Sequence, residues 1–236
     1  GVLLRRVIKQ FKPNILHALE CQGAGYITNE ASKNLESRPF FILTQWGSDF
    51  YWYQKFPRHR KKLESLLLKV DLLVMECERD VSISRSLGYT GRIFPPYPHT
   101  GGYDLQNLEE SLGRATTSSR KRILIKGHTR FVGRGLLALK AIEDLSDLLT
   151  DYEIVVYSAD PPARSRARKL ARQFGLKIVS FRRGELSHEE TLQLFGEARI
   201  YIGISLSDAA SISLLEAILS GAFPIQTDTS CADEWI

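Results

Sequence analysis

Asp208 and Glu216 stand with seven residues between them in the run Ile200-Tyr201-Ile202-Gly203-Ile204-Ser205-Leu206-Ser207-Asp208-Ala209-Ala210-Ser211-Ile212-Ser213-Leu214-Leu215-Glu216. An apolar strand gives way to a loop of small and polar residues, and a helix then carries a carboxylate in its second turn. Such a loop can set backbone N–H groups and a positive helix end against a phosphate. Ser207, Asp208 and Ser211 are equally good helix caps. Glu216 is harder to account for as scaffolding, because Leu214, Leu215, Ala217, Ile218 and Leu219 make its helix apolar. A buried lone carboxylate costs several kcal/mol unless it is paired or hydrogen-bonded. Two partners fit. A ribose diol offers two donors, each hydrogen bond to a charged group being worth ~1.5–3 kcal/mol. A buried salt bridge to an arginine is the structural alternative.

A second stretch, Gly127-His128-Thr129-Arg130-Phe131-Val132-Gly133-Arg134-Gly135, follows the apolar run at 122–126. Three glycines and several cations at a strand-to-helix turn suit a diphosphate, although neither a Walker motif nor a G-x-G-x-x-G fingerprint is present. A basic surface loop explains the same residues. His59, His99, His128 and His188 form no nucleophile or metal constellation in the sequence, and no metal site is expected. Cys21, Cys77 and Cys231 are scattered and odd in number, so they read as small buried hydrophobes in a reducing compartment.

The elements that must hold these residues alternate. Strand-length apolar runs fall at 14–19, 40–44, 71–76, 92–95, 122–126, 153–157, 176–180, 199–204 and 222–226. Several are continuous, such as Ile123-Leu124-Ile125 and Ile154-Val155-Val156, as expected of a parallel sheet covered on both faces. Helical patterns lie between them, including 136–149 and 187–196, and Ser187 with Glu190 forms a capping-box pair. The fold class expected is α/β, built from right-handed strand–helix–strand units. Prolines, glycines and hydroxylated residues crowd 95–120 and predict a break, giving domains at 1–110 and 111–236 with a cleft between. Ligands in open α/β sheets bind beyond the carboxyl ends of strands, which points to the turns at 20–25, 45–49, 127–135, 158–162, 181–185 and 205–211.

At 236 residues, 43% hydrophobic and 25% charged, the chain can bury a substantial core. No apolar run approaches the ~18 residues that span a bilayer, and a cytoplasmic protein is expected. The chain opens on Gly1 and stops at Glu234-Trp235-Ile236, as a piece of a longer chain would. Its net charge of +5 is unevenly spread. Eight cations and no acid lie between Pro161 and Gly184, a pattern that reads as a solvated helix face. Lys55, Arg58, Arg60, Lys61 and Lys62 precede Leu66-Leu67-Leu68 and suit anionic lipid headgroups at an inner membrane surface. Nucleic acid is a poor fit, since no zinc-finger, helix-turn-helix or RNA-binding signature accompanies these patches.

The acid-x7-Glu pair, then Ala217, Gly221-Ala222-Phe223-Pro224-Ile225 and Cys231-Ala232-Asp233-Glu234-Trp235, resembles the nucleotide-sugar half of retaining GT-B-fold glycosyltransferases, more narrowly glycosyltransferase group 1 (family 4). More loosely, Pro13-Asn14-Ile15-Leu16-His17-Ala18 resembles that family's strand ending in histidine, and Trp46-Gly47-Ser48-Asp49 its turn facing the acceptor. The resemblance is most specific over 199–236. It implies two Rossmann-like domains with parallel sheets facing across a cleft, truncated here at both ends. It implies sugar transfer with retention from a nucleotide diphosphate donor, without a metal or other cofactor, to a polysaccharide or lipid-linked acceptor. Glu216 would hold the ribose, Asp208 would lie near the donor sugar, and the backbone at Ala209, Ala210 and Ser211 would meet the diphosphate. Lys126 and Arg134 would neutralise the leaving group, His17 would be catalytic, and Gly47 and Asp49 would face the acceptor. This chain departs from the pattern at Asp208, where glutamate is commoner, at Ala209-Ala210, where a glycine–aromatic pair is usual, and at Leu19, where a second histidine often stands. A silent nucleotide-sugar-binding scaffold and a GT-B-like epimerase are the rival readings. A phosphorylase of this fold would need a pyridoxal lysine, which has no signature here.

Overall fold

The computed structural model describes residues 1–33, 35, 37–99, 101–104, 106 and 115–235. It divides into two compact units, Gly1–His99 with Ser207–Ala210, and Thr100–Leu206 with Ser211–Ile236. The boundary expected at 110/111 lies outside the described residues.

The first unit holds a parallel sheet of β1 (Ile15–Leu19), β2 (Phe40–Thr44), β3 (Leu72–Val74) and β4 (Arg92–Ile93), neighbours in that order. Helices α1 (Val2–Phe11), α2 (Tyr26–Ala31), α3 (Pro57–Leu67) and α4 (Glu78–Ser86) accompany it. Pro57 opens α3, a position where its missing N–H leaves nothing unsatisfied. Strands β3 and β4 are shorter than the apolar runs that contain them. The Asp71 carboxylate accepts the Phe41 N–H at 2.7 Å and pairs with Arg38, while Pro95 and Pro96 bring no N–H to extend β4. The core is Phe41, Leu43, Leu63, Leu66, Leu67, Leu73 and Met75 with their neighbours. Leu66 and Leu67 therefore belong to the interior rather than to a lipid-facing stripe; Leu68 alone of the three is exposed, at 80%.

The second unit carries β5 (Arg122–Lys126), β6 (Glu153–Tyr157), β7 (Lys177–Ser180), β8 (Ile200–Gly203) and β9 (Phe223–Gln226), all parallel in the order β7-β6-β5-β8-β9. Helices α5 (Gly135–Asp144), α6 (Pro161–Phe174), α7 (His188–Glu197) and α8 (Ile212–Leu219) make the crossovers. Both faces of β5 are covered, as its unbroken apolar run requires. Ile123 and Ile125 pack with Leu139, Ile142 and Leu170; Leu124 packs with Phe195, Tyr201 and Ala217. Helix α5 stops five residues short of its apolar pattern, and a 3-10 turn, Ser146–Leu148, completes the run. In α6, Ala163, Ala167 and Leu170 are buried while Arg168, Lys169 and Arg172 face solvent. The chain builds from β5 outward to β7, then returns to the far side of β5 with β8. The carboxyl ends of β5 and β8 thus flank a topological switch point, where open sheets hold ligands.

The three cysteines are buried and none is in a disulfide. Among the described residues, no helix is long and apolar enough to cross a membrane.

Candidate functional site

In the second unit, the turn after β5 is held by close backbone packing. A Cβ on Gly133 would lie 2.5 Å from the His128 carbonyl oxygen, so only glycine fits where Gly133 bridges to Ser205. Asp160, beyond β6, accepts from the Thr129 N–H at 2.8 Å and from its hydroxyl at 3.2 Å. These contacts shape the 127–135 turn without any ligand. Burial lowers the His128 imidazole below its usual range, and the charges of Lys126, Arg183 and Arg130 add to this against the pull of Asp160. Arg134 turns its guanidinium onto its own turn, donating to Gly133 O at 2.7 Å and Phe131 O at 3.1 Å. Lys126 ends β5, half-buried.

Glu216 lies in the second turn of α8, 5% exposed, on a stripe shared with Ser213, Ala217 and Ser220. Burial raises its pKa above the usual carboxylate range, opposed by His188 and Lys126. No arginine pairs with it among the described residues. Its partner is His188, the first residue of α7, whose Nε2 lies 2.9 Å from Oε1. His188 was given no role by the sequence, since 28 residues separate it from Glu216 and no motif joins them. The local signal that existed was the capping box: Ser187 Oγ accepts the Glu190 N–H at 3.1 Å, and Glu190 Oε2 accepts the Ser187 N–H at 2.7 Å. That box fixes where His188 starts. Ser211 is the N-cap residue of α8, 3% exposed, without a side-chain capping bond.

Asp208, Ala209 and Ala210 group with the first unit rather than with Ser211 and Glu216. There Arg79 Nη2 donates to the Asp208 carbonyl at 2.7 Å, and Asp208 Oδ1 accepts the Ala209 N–H at 3.0 Å. His17, exposed on β1, bonds Thr44 Oγ1 on β2 through Nε2 at 2.8 Å. Gly47 takes a positive φ of 43°, which favours glycine, and donates its N–H to Glu76 Oε2 at 3.1 Å. Asp49 is buried and joins two turns, its Oδ2 accepting the Cys21 N–H at 2.8 Å and the Trp46 N–H at 2.9 Å.

Around Gly47 and Asp49 the structure gathers acids that the sequence reading passed over. Glu76 and Asp80 follow β3 and are buried, with Asp80 bound by Arg79 at 3.0 Å. Burial pushes Asp49 and Glu76 up to about 7 each, against the backbone N–H bonds that both accept. Asp80 is raised as well, first by burial and in opposition to Arg79. The turn after β3 was missed because Glu76 reads as the polar end of a strand; its proximity to Gly47 comes from the β2–β3 pairing.

Residues 3–76 match the family model described as Glycosyl transferase 4-like. Among curated proteins, none matches the sequence. Among solved structures, an alpha,alpha-trehalose-phosphate synthase (UDP-forming) from Burkholderia xenovorans, in complex with glucose-6-phosphate, is 13% identical with a TM-score of 0.74, over 98% of this chain and 64% of that one. A structure described as trehalose-6-phosphate from E. coli bound with UDP-2-fluoro glucose is 11% identical at a TM-score of 0.69, over 98% and 63%. A TarM mutant from S. aureus, in complex with fondaparinux, alpha-GlcNAc-glycerol and UDP, is 9% identical at 0.71, over 98% and 46%. The chain spans less than two thirds of each of these proteins. Its fold is that of the GT-B glycosyltransferases, and the family match falls in the first unit, where the sequence resemblance was the looser.

Proposed function

We propose that this chain belongs to a retaining glycosyltransferase that takes its sugar from a nucleoside diphosphate donor. One observation carries the reading: a carboxylate, Glu216, is held buried in the same unit in which Lys126 and Arg134 bound the glycine-rich turn at the switch point. That pairing of one buried acceptor with cations matches the two ends of a nucleoside diphosphate, a ribose diol and a charged phosphate pair. Glu216 would accept from the diol. Lys126 and Arg134 would take the charge that develops on the departing diphosphate, the part a metal plays elsewhere, which lowers the barrier. For Arg134 this means exchanging the carbonyls of Phe131 and Gly133 for phosphate oxygens. Backbone N–H groups of Ala209, Ala210 and Ser211 would approach the same phosphates, Asp208 the donor sugar, and His17, Gly47 and Asp49 the acceptor.

The proteins of like fold are described with UDP, UDP-2-fluoro glucose, glucose-6-phosphate or a GlcNAc-glycerol, which supports a nucleotide sugar and a glycosyl acceptor as the kind of partner here. A polysaccharide or lipid-linked acceptor is favoured by the exposed cations Lys55, Arg58, Arg60, Lys61 and Lys62, which suit an anionic inner membrane surface.

The test is a titration of UDP, GDP and ADP into the parent and Glu216→Ala. The parent should bind one of them, and the variant should lose about tenfold to a hundredfold in affinity, the worth of hydrogen bonds to a charged group. Equal affinity in the variant overturns the role of Glu216. Turnover of the matching sugar nucleotide by the full protein separates a transferase from a silent scaffold or an epimerase.

A further inference from the structure

Glu216 is buried, but the imidazole that binds it is not: the two side chains are 6% and 67% exposed. An ionised carboxylate only accepts, so Nε2 of His188 carries the proton in this bond. The imidazole leaves the chain at the first residue of a helix whose start is locked by the Ser187–Glu190 capping box, so it is presented from a fixed backbone. Among the described residues His188 is the one side chain that hydrogen-bonds this carboxylate. One oxygen is thereby aimed and the other left for a guest.

A second observation points to the same guest. The Tyr103 hydroxyl is buried without a partner, close enough to Glu216 for the carboxylate's charge to add to the burial that pushes it up to about 12. A buried hydroxyl without a partner is a group that a bound polar guest could satisfy.

We propose that His188 is a positioning residue for sugar recognition: its Nε2–H holds Oε1 of Glu216 so that Oε2 meets the hydroxyls of a ribose, making the site selective for ribo- over deoxyribonucleoside diphosphates. This rests on the ribose-binding role of Glu216 given above. His188 acts through Glu216 and touches no reacting atom.

The experiment titrates UDP, GDP and ADP, with their 2′-deoxy counterparts, into the parent, His188→Phe and His188→Gln. The parent should prefer the ribonucleotide by about tenfold or more. His188→Phe should abolish most of that preference while leaving the deoxynucleotide affinity within about twofold, and His188→Gln, which keeps an N–H donor, should restore part of it. An exposed histidine should tolerate these changes without unfolding the unit, and thermal melts of each variant check this. If the parent discriminates and His188→Phe discriminates equally, or weakens both sugars alike, His188 is only a tie between α7 and α8 and the proposal falls alone. If the parent binds no nucleoside diphosphate, or both sugars equally, the ribose reading of Glu216 falls and this one falls with it.

Discussion

Asp49 and Glu76 hold protons near neutrality because burial outweighs the amide hydrogen bonds that favour their ionised forms. The consequence for stability has a definite sign. Both folded values, about 7, lie above the unfolded carboxylate range, so the native state binds more protons between roughly pH 4 and pH 7. Stability conferred by these groups is therefore full in acid, falls as pH rises through that window, and levels off above it. The expected effect is on the order of a few kcal/mol for the two acids together. Melting temperatures measured from pH 5 to pH 8 should fall for the parent and fall less for an Asp49→Asn, Glu76→Gln variant. Asparagine keeps a carbonyl oxygen for the Cys21 and Trp46 N–H groups, so the variant removes the titration rather than the acceptor. A double variant with the parent's pH profile would show that neither carboxyl is the source.

At the scale of elements, the turn after β5 owes its shape to packing of backbone on backbone. Gly133 lies against the His128 carbonyl and bridges to Ser205 after β8, so it joins the two strand ends that flank the switch point. Adding a methyl group there forces the turn away from His128, since the neighbour is backbone and cannot swing aside. Gly133→Ala should cost the second unit about 1–3 kcal/mol in denaturant unfolding, the range for overpacking a tight site. It should weaken nucleoside diphosphate binding as well, because Lys126 and Arg134 sit at the two ends of that turn. Unchanged binding and stability would mean that the turn adapts freely and is not preorganised.

At the scale of the molecule, each unit is a parallel sheet whose crossover helices cover it, and charge is left on helix faces outside those cores. The basic cluster at 55–62 is partly used locally: Lys55 lies 4.1 Å from the Tyr51 ring centroid, Lys62 lies 5.2 Å from that of Tyr26, and Arg60 pairs with Glu64. Arg58 and Lys61, exposed like the others, make no such ring contact or ion pair among the described residues. With Leu66 and Leu67 in the core, any hold on a lipid surface is electrostatic, worth about 1 kcal/mol per cation and screened by salt. Sedimentation with vesicles rich in phosphatidylserine should pull the protein down at low salt and release it at high salt. Arg58→Glu with Lys61→Glu should abolish that binding. Binding that resists salt would instead require an apolar insertion that α3 does not offer.

The amino-acid order by itself determined what depends on near neighbours. Continuous apolar runs with helical patterns between them specified two parallel sheets, and Ser187 with Glu190 marked the start of α7, because periodicity and capping act within a few residues. The burial of Glu216 followed likewise from the leucines and alanine beside it. Folding alone decided who answers that carboxylate. His188 meets it because α7 and α8 pack together, Glu76 meets Gly47 because β2 pairs with β3, and Leu66 faces inward because α3 lies over that sheet. Such encounters join residues far apart in the chain, and no local pattern records which distant side chain will fill the space a buried charge must share.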